Sequence, residues 1–367
     1  MNTEPSKLGY GCMRFPQTAD EKINEPAAAS LLEKAYRSGI TYFDTAYPYH
    51  HGQSQEFTAR VLRQFPRASY NLANKLPLYL IKTKDDVARY FNEQLEICKV
   101  DHFDYYLAHA VGDERWEKVI VPFDVFQQLL QFKKEGKIRH LGFSFHGSAA
   151  CLEKAVSTCK WDFVQIQLNY FDWYYQDAAR LYQILRNAGL PIIVMEPVRG
   201  GALAALCPKA LQIIHDSGYK GSPASLALRY AASLEGVQTV LSGMSTEDQL
   251  DDNLATFKSF KPLSEDELAL VEKVRVAYLD SCGIPCTGCQ YCQPCPNGVL
   301  IPKVFAAYNS YAHTQDIAEF KKQFSSIKSD EGPRSCIECG KCVKLCPQAI
   351  EIPKKLKMIG EFASHHI

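Results

Sequence analysis

Tyr70-Asn71-Leu72-Ala73-Asn74-Lys75, then the span from Lys84 to Cys98, then Phe103-Asp104-Tyr105-Tyr106-Leu107-Ala108, is the stretch that decides the architecture. Its outer pieces are short apolar runs of strand length, and its middle is an amphipathic helical segment. Strand, helix, strand is the unit from which parallel sheets are built. Working outward, the same alternation runs from residue 8 to about residue 258. Further strands are expected at Gly9 to Cys12, Tyr42 to Asp44, His140 to Ser144, Phe163 to Gln167, Ile192 to Glu196 and Thr239 to Ser242. Helices are expected at Ala27 to Ser38, Phe123 to Glu135, Gln176 to Ala188 and Glu247 to Thr256. Eight strands alternating with helices over roughly 250 residues predict an α/β fold, a (β/α)8 TIM barrel. A doubly wound sheet is the alternative, but no GxGxxG follows the first strand.

Composition sets the bounds. A chain of 367 residues, 46% of them hydrophobic, can bury one large domain and a small one. Lys plus Arg (41) balances Asp plus Glu (41), which leaves no electrostatic footprint for nucleic acid or an anionic membrane. No apolar run approaches the length of a membrane span, and Met1 to Lys7 is too short and polar for a signal peptide, so a cytoplasmic protein is expected. Cys12, Cys98, Cys151, Cys159, Cys207 and Cys282 are scattered and read as reduced, buried small side chains.

The other eight cysteines form two tight runs: Cys286, Cys289, Cys292, Cys295 and Cys336, Cys339, Cys342, Cys346, each followed by proline. Cysteines at every third position can turn three thiolates toward one point, and the second run has the C-x2-C-x2-C-x3-C-P spacing that holds 4Fe-4S clusters in bacterial ferredoxins. Structural zinc is the competing reading, but it usually takes two CxxC pairs separated by a longer loop. Two 4Fe-4S clusters are therefore expected. In the two-cluster arrangement the fourth cysteine of each run serves the other cluster. The first cluster then takes Cys286, Cys289, Cys292 and Cys346, and the second Cys336, Cys339, Cys342 and Cys295. A helix over Glu265 to Tyr278 leads into the first run, and Ile301 to Ile327 reads as a helical insert between the runs. The expected domains are 1–262, the barrel, and 263–367, a small, mainly helical two-cluster ferredoxin-like domain that the clusters themselves hold together.

In such barrels the reacting groups stand at the C-terminal ends of the strands. The second strand ends in Phe43-Asp44-Thr45-Ala46-Tyr47-Pro48-Tyr49, the third in Asn74-Lys75 and the fourth in Leu107-Ala108-His109. Any one of these residues alone has a bland structural explanation. Together, in this order and with Asp44 five residues before Tyr49, they resemble the catalytic tetrad of the aldo/keto reductase family. Gly142-Phe143-Ser144, Gln165 with Asn169, Pro197, and Gly243 to Asn253 extend the resemblance over about two thirds of the chain. Met195-Glu196-Pro197, Arg199-Gly200-Gly201 and Cys286-Thr287-Gly288-Cys289 are similar to the iron-sulfur-containing branch of that family.

The resemblance implies an oxidoreductase that reduces or oxidises a small carbonyl or alcohol substrate with NADP or NAD. Tyr49 would be the general acid, its pKa lowered by Lys75; Asp44 would pair with Lys75, and His109 would orient the carbonyl. It also implies nucleotide contacts from Ser144, Gln165, Met195, Pro197, Gly243, Gln249 and Asn253. Several of these positions depart from the family pattern. Phe145 replaces an Asn beside the serine, Met195 replaces a stacking aromatic ring, and Gly243 and Gln249 stand where many members carry Lys and Arg for the 2′-phosphate. Strict use of NADPH is thus not supported. His50 and His146 read as loop or substrate-contact residues rather than metal ligands.

A nicotinamide delivers two electrons at once and a 4Fe-4S cluster one. Three functions follow: a conventional dehydrogenase with structural or regulatory clusters, an electron-transfer protein passing single electrons between a redox partner and a barrel-bound substrate or flavin, and a docking module. The complete tetrad disfavours the last. From Pro296 onward there are ten Lys or Arg and seven Asp or Glu, a small surplus that suits an acidic ferredoxin- or flavodoxin-type partner.

Overall fold

The computed structural model describes residues 4–280 and 283–367, the side chain of residue 280 excepted. Eight parallel strands close into a barrel in chain order: β1 Leu8–Gly11, β2 Tyr42–Asp44, β3 Asn71–Leu76, β4 Phe103–Val111, β5 Ile138–Phe145, β6 Phe163–Gln167, β7 Ile192–Met195 and β8 Val237–Ser242. Closure runs through Leu8↔Val240, Gly9↔Leu241 and Tyr10↔Ser242. The strands fall where the sequence places them, with ends shifted by a residue or two and β4 longer than expected.

The barrel interior is what positions the chemistry. Tyr42, Ala73, Leu107, Phe163, Ile193 and Leu241 belong to one buried cluster contributed by six strands. Side chains along a strand alternate between faces, so the residue two positions on points the same way. Two positions on from these six stand Asp44, Lys75, His109, Gln165, Met195 and Gly243. A packed apolar layer therefore forms the floor of a polar one at the C-terminal rim.

The helices follow their sequence signals. Asn24 caps Glu25–Arg37 through a side-chain bond to Ala27 N–H, and Ser148 and Thr246 cap Ala149–Thr158 and Glu247–Lys258 in the same way. Cys12, Cys98, Cys151 and Cys207 are buried free thiols and Cys159 is partly exposed, while Cys282 lies outside the described residues. Among the described residues, no helix is long and apolar enough to cross a membrane.

The chain divides into two compact units, residues 1–197 with 227–263, and residues 198–226 with 264–367. The division after Leu263 lies one residue from the boundary expected at 262. What the sequence reading does not contain is the assignment of Val198–Leu226 to the second unit. The physical reason is visible there: helix Pro208–Asp216 packs on helix Glu265–Asp280, and Cys207 Sγ lies 3.6 Å from Ala277 O.

The expected helical insert is two helices, Ile301–Thr314 and Ile317–Ser325. Gln315 takes a left-handed conformation, and the Asp316 carboxylate accepts from Ala318 and Glu319 N–H at 2.9 and 3.0 Å, so a new helix starts there. The second unit also has more core than expected of it. Val299, Val304, Phe305, Ile350, Leu356 and Ile359 are among ten buried residues in one cluster, with Cys286, Cys292, Cys295, Cys336, Cys342 and Cys346 packed against it.

Candidate active site and iron-sulfur centres

At the barrel rim the four expected residues meet. Lys75, only 1% exposed, donates from Nζ to Asp44 Oδ1 at 2.5 Å, to Thr45 O at 2.8 Å and to the Tyr49 hydroxyl at 3.2 Å. The same ammonium lies 4.7 Å from the Tyr49 ring centroid, and the His109 ring stands edge-on to Tyr49 at 6.2 Å. All four side chains are buried. Burial on its own pushes the Asp44 carboxyl up and the Lys75 ammonium down, and their mutual attraction opposes both shifts. The pair keeps a charge in a dry place by sharing it.

One sequence expectation is corrected here. The nearness of Lys75 does not bring the Tyr49 phenol below its ordinary value. Burial holds it well above its ordinary value, reinforced by the negative fields of Asp44 and Glu196 and only weakly opposed by Arg14. Tyr49 is consequently a fully protonated donor at neutral pH. His109 is held well below its usual range by burial first, and then by the charges of Lys75 and Arg115. It is a neutral imidazole, able to hydrogen-bond a carbonyl without competing for its proton.

Several supporting residues carried no sequence signal. Behind Lys75, Gln94 Nε2 donates to Asn74 Oδ1 at 2.9 Å and Lys75 O at 3.1 Å, Asn74 Nδ2 donates to Gln55 Oε1 at 3.1 Å, and Tyr106 OH donates to Gln94 Oε1 at 2.5 Å. This buried network fixes the end of β3. Polar residues on an otherwise amphipathic helix were the available hint, and Gln94 alone is indistinguishable from a surface glutamine. Arg14 and Glu196, paired at 3.2 Å, form a second addition. Glu196 adopts φ 54, a left-handed conformation unusual for a non-glycine residue and common where strain serves a site.

The expected nucleotide contacts separate into two groups. Ser144 and Gln165 are paired across β5 and β6 and so face the same way. Ser144 Oγ accepts from Ala110 N–H at 2.7 Å, which leaves its own proton to donate, and Gln165 Oε1 is buried with no partner among the described residues. An orphaned acceptor beside a hydroxyl donor fits a carboxamide, which offers both an N–H and a C=O. Met195 and Pro197 follow at the end of β7. By contrast, Gln249 Oε1 accepts from Ser245 N–H at 2.8 Å and Asn253 Nδ2 donates to Ser242 Oγ at 2.9 Å, so both amides are used in holding the start of helix Glu247–Lys258 to β8. Gly243 is covered by the stem of Arg14, 3.1 Å from where a Cβ would lie. A guanidinium therefore does stand at this corner, already paired with Glu196. His50 accepts from Phe15 N–H at 3.1 Å and stacks on the Phe15 ring, and His146 sits in the loop after β5; burial brings both down to about 4.

In the second unit the cysteines gather in two sets. Cys292 feels the charges of Cys289, Cys286 and Cys346, and Cys342 those of Cys336, Cys339 and Cys295. Each set takes three members from one run and the last member of the other, the crossed pattern of two-cluster ferredoxins. Burial and the neighbouring thiols push Cys292 up to about 12, and ligation by iron would reverse that by requiring the thiolate. Among the described residues, no three His, Cys, Asp or Glu side chains converge on a single-ion site. Four soft sulfur donors per set fit a cluster, in which each thiolate takes its own iron.

Comparison with known proteins agrees with both halves. The aldo/keto reductase family profile matches residues 7–276, and a 4Fe-4S dicluster domain profile matches residues 285–350. The chain is 24% identical over 293 residues to L-galactose dehydrogenase of Arabidopsis thaliana, covering 73% of this chain and 89% of that one. It is 26% identical over 207 residues to an aldo-keto reductase relative of Glycine max, spanning 54% of this chain and 57% of the relative. Among solved structures, an aldo-keto reductase of Bacillus halodurans in its holo form superposes with a TM-score of 0.59 at 22% identity, over 73% of this chain and 91% of that one. The chain belongs to the aldo/keto reductase family of oxidoreductases and carries a C-terminal 4Fe-4S dicluster domain.

Proposed function

We propose that the barrel reduces the carbonyl group of a small molecule by hydride transfer from NADH or NADPH, with Asp44, Tyr49, Lys75 and His109 as its catalytic residues, in a protein that also holds two 4Fe-4S clusters. The observation that carries this is the Lys75 ammonium placed between the Asp44 carboxylate and the Tyr49 hydroxyl at 2.5 and 3.2 Å in a buried setting. A bound nicotinamide supplies the hydride at the carbonyl carbon. The chain's own residues do the rest. Neutral His109 orients the carbonyl oxygen, and Tyr49 O–H gives it a proton as charge develops there. The phenolate left behind is stabilised by Lys75, whose charge Asp44 maintains. Ser144 and Gln165 hold the carboxamide. A phenol held above its ordinary pKa is protonated at neutral pH, the form in which carbonyl reduction starts. With Arg14 engaged by Glu196 and no cation at Gly243 or Gln249, NADH serves at least as well as NADPH.

Tyr49→Phe removes the proton donor and keeps the ring. Carbonyl reduction is expected to fall roughly 100-fold or more, while nucleotide binding, followed by fluorescence titration, stays within about threefold. Unchanged turnover rejects the role given to Tyr49.

A second reading, that the protein exchanges single electrons with a protein partner, is supported by the surface around the second cysteine run. Cys339 is exposed, and Ile337 and Leu345 beside it are 64% and 46% exposed. An apolar rim around an accessible thiolate, with Lys341 and Lys344 next to it, suits an acidic ferredoxin- or flavodoxin-type protein.

A further inference from the structure

Arg199 is the largest of the fully buried side chains, 1% exposed, and it lies in the second unit rather than at the barrel rim. Its guanidinium NH2 is 3.5 Å from Pro285 O and 3.4 Å from Gln348 Oε1. Pro285 immediately precedes Cys286, and Gln348 comes two residues after Cys346. Those two cysteines belong to the same set, Cys286, Cys289, Cys292 and Cys346, although 60 positions separate them in sequence. The next residue presses on the same loop: a Cβ on Gly200 would collide with the Thr287 carbonyl group, its carbon only 2.8 Å away, and Thr287 lies between Cys286 and Cys289. Arg199 and Gly200 both adopt left-handed backbone, at φ 53 and 66, which turns the chain tightly enough to deliver the guanidinium there. On the other side Gly288 N–H donates to Cys286 Sγ at 3.4 Å.

We propose that Arg199 is a positioning residue for electrons: its buried charge, set between the flanks of Cys286 and Cys346, raises the reduction potential of the cluster held by Cys286, Cys289, Cys292 and Cys346. The inference rests on the reading that the eight cysteines carry two four-iron clusters. Reduction adds one electron, and so one negative charge, to the cluster and its thiolates, with the electron coming from a one-electron donor such as a ferredoxin. A fixed cation in surroundings that water does not screen favours the more negative form. The contacts at 3.4 and 3.5 Å are long for hydrogen bonds. The effect proposed is that of the guanidinium's field, which reaches beyond these two contacts. Among the described residues no corresponding buried arginine flanks the second set, where Arg334 lies two residues before Cys336 but bonds outward to Ser364 Oγ at 2.8 Å and is exposed. One electrostatic environment is thus built for each cluster.

The test uses the full chain, purified anaerobically, with iron and sulfide counted first. Fewer than about eight irons per chain in the wild type rejects the two-cluster reading itself, separately from the role of Arg199. With both clusters present, a dithionite titration followed by electron paramagnetic resonance gives two midpoints. Arg199→Gln is expected to lower the reduction constant of one cluster at least tenfold, about 59 mV for a one-electron couple, and to leave the other unchanged. Arg199→Lys keeps the charge and is expected to hold the midpoint within about threefold of wild type. Unchanged midpoints in a fully loaded Arg199→Gln protein overturn the inference. So does a tenfold fall in Arg199→Lys, because the charge would then be irrelevant. Loss of iron from both variants overturns it as well, by making the arginine a structural strut.

Discussion

His109 reaches the site two residues beyond Leu107 on the same interior face, and the price of that placement is a proton it cannot accept. The unfolded chain binds that proton below pH about 6.5; the folded chain does not until the pH is far lower. The unfolded state therefore holds more protons throughout that window, and stability must fall as the pH is lowered through it, by up to about 1.4 kcal/mol per pH unit. Urea unfolding of the barrel at pH 7.5 and 5.5 should show a larger loss for wild type than for His109→Gln, which has nothing to titrate at that position. Equal losses would remove burial of a neutral imidazole from the account. That Asp44, Tyr49, Lys75 and His109 would meet was legible, since four residue types at four strand ends are a pattern. The direction of the Tyr49 shift was not, because it depends on how completely the strand ends are dried, and Gln55, Asn74 and Gln94 do that from elements far apart in sequence.

At the scale of elements, strands could be read because parallel strands buried on both faces are short, continuous apolar runs. Their helices could be read because each carries its own period and cap. Two elements escaped. The break between Ile301–Thr314 and Ile317–Ser325 rests on one carboxylate, Asp316, within a stretch whose apolar pattern runs through. The turn at Arg199 and Gly200 was visible as a motif, but not what it touches, since Thr287 is contributed from far along the chain. That turn makes a prediction. Gly200→Ala places a Cβ against the Thr287 carbonyl in a left-handed backbone, costing on the order of 2 kcal/mol from conformation alone. Iron content should drop preferentially over barrel secondary structure, as measured by metal analysis beside circular dichroism. A fully loaded Gly200→Ala protein of wild-type stability would show that the loop has room the structure does not give it.

Over the whole molecule, the length of the chain and the cysteine runs pointed to a two-part organisation, while the second unit's aliphatic core was concealed in segments that look like linkers. Ile284, Val299 and Ile350 lie beside the cysteine runs rather than in long periodic helices. Because six of the eight cysteines pack on that core, cluster and core should stabilise each other. Removing iron with a chelator under mild oxidation is expected to speed hydrogen exchange in Ile301–Thr314 and Ile352–His366 at least about tenfold, with the eight barrel strands unaffected. Exchange that stays slow in both helices would mean that the core suffices alone.

The path of the backbone through the two units has its own consequence. The chain leaves the first unit at Pro197, returns at Ala227 and leaves again at Leu263. A module that is entered once can be cut away, swapped or appended with a single splice; one that is entered twice cannot. Ending the polypeptide at Leu263 deprives Val198–Leu226 of the helix it packs on, and transplanting residues 264–367 onto another protein leaves Arg199 behind. No single cut of the polypeptide therefore yields both units whole.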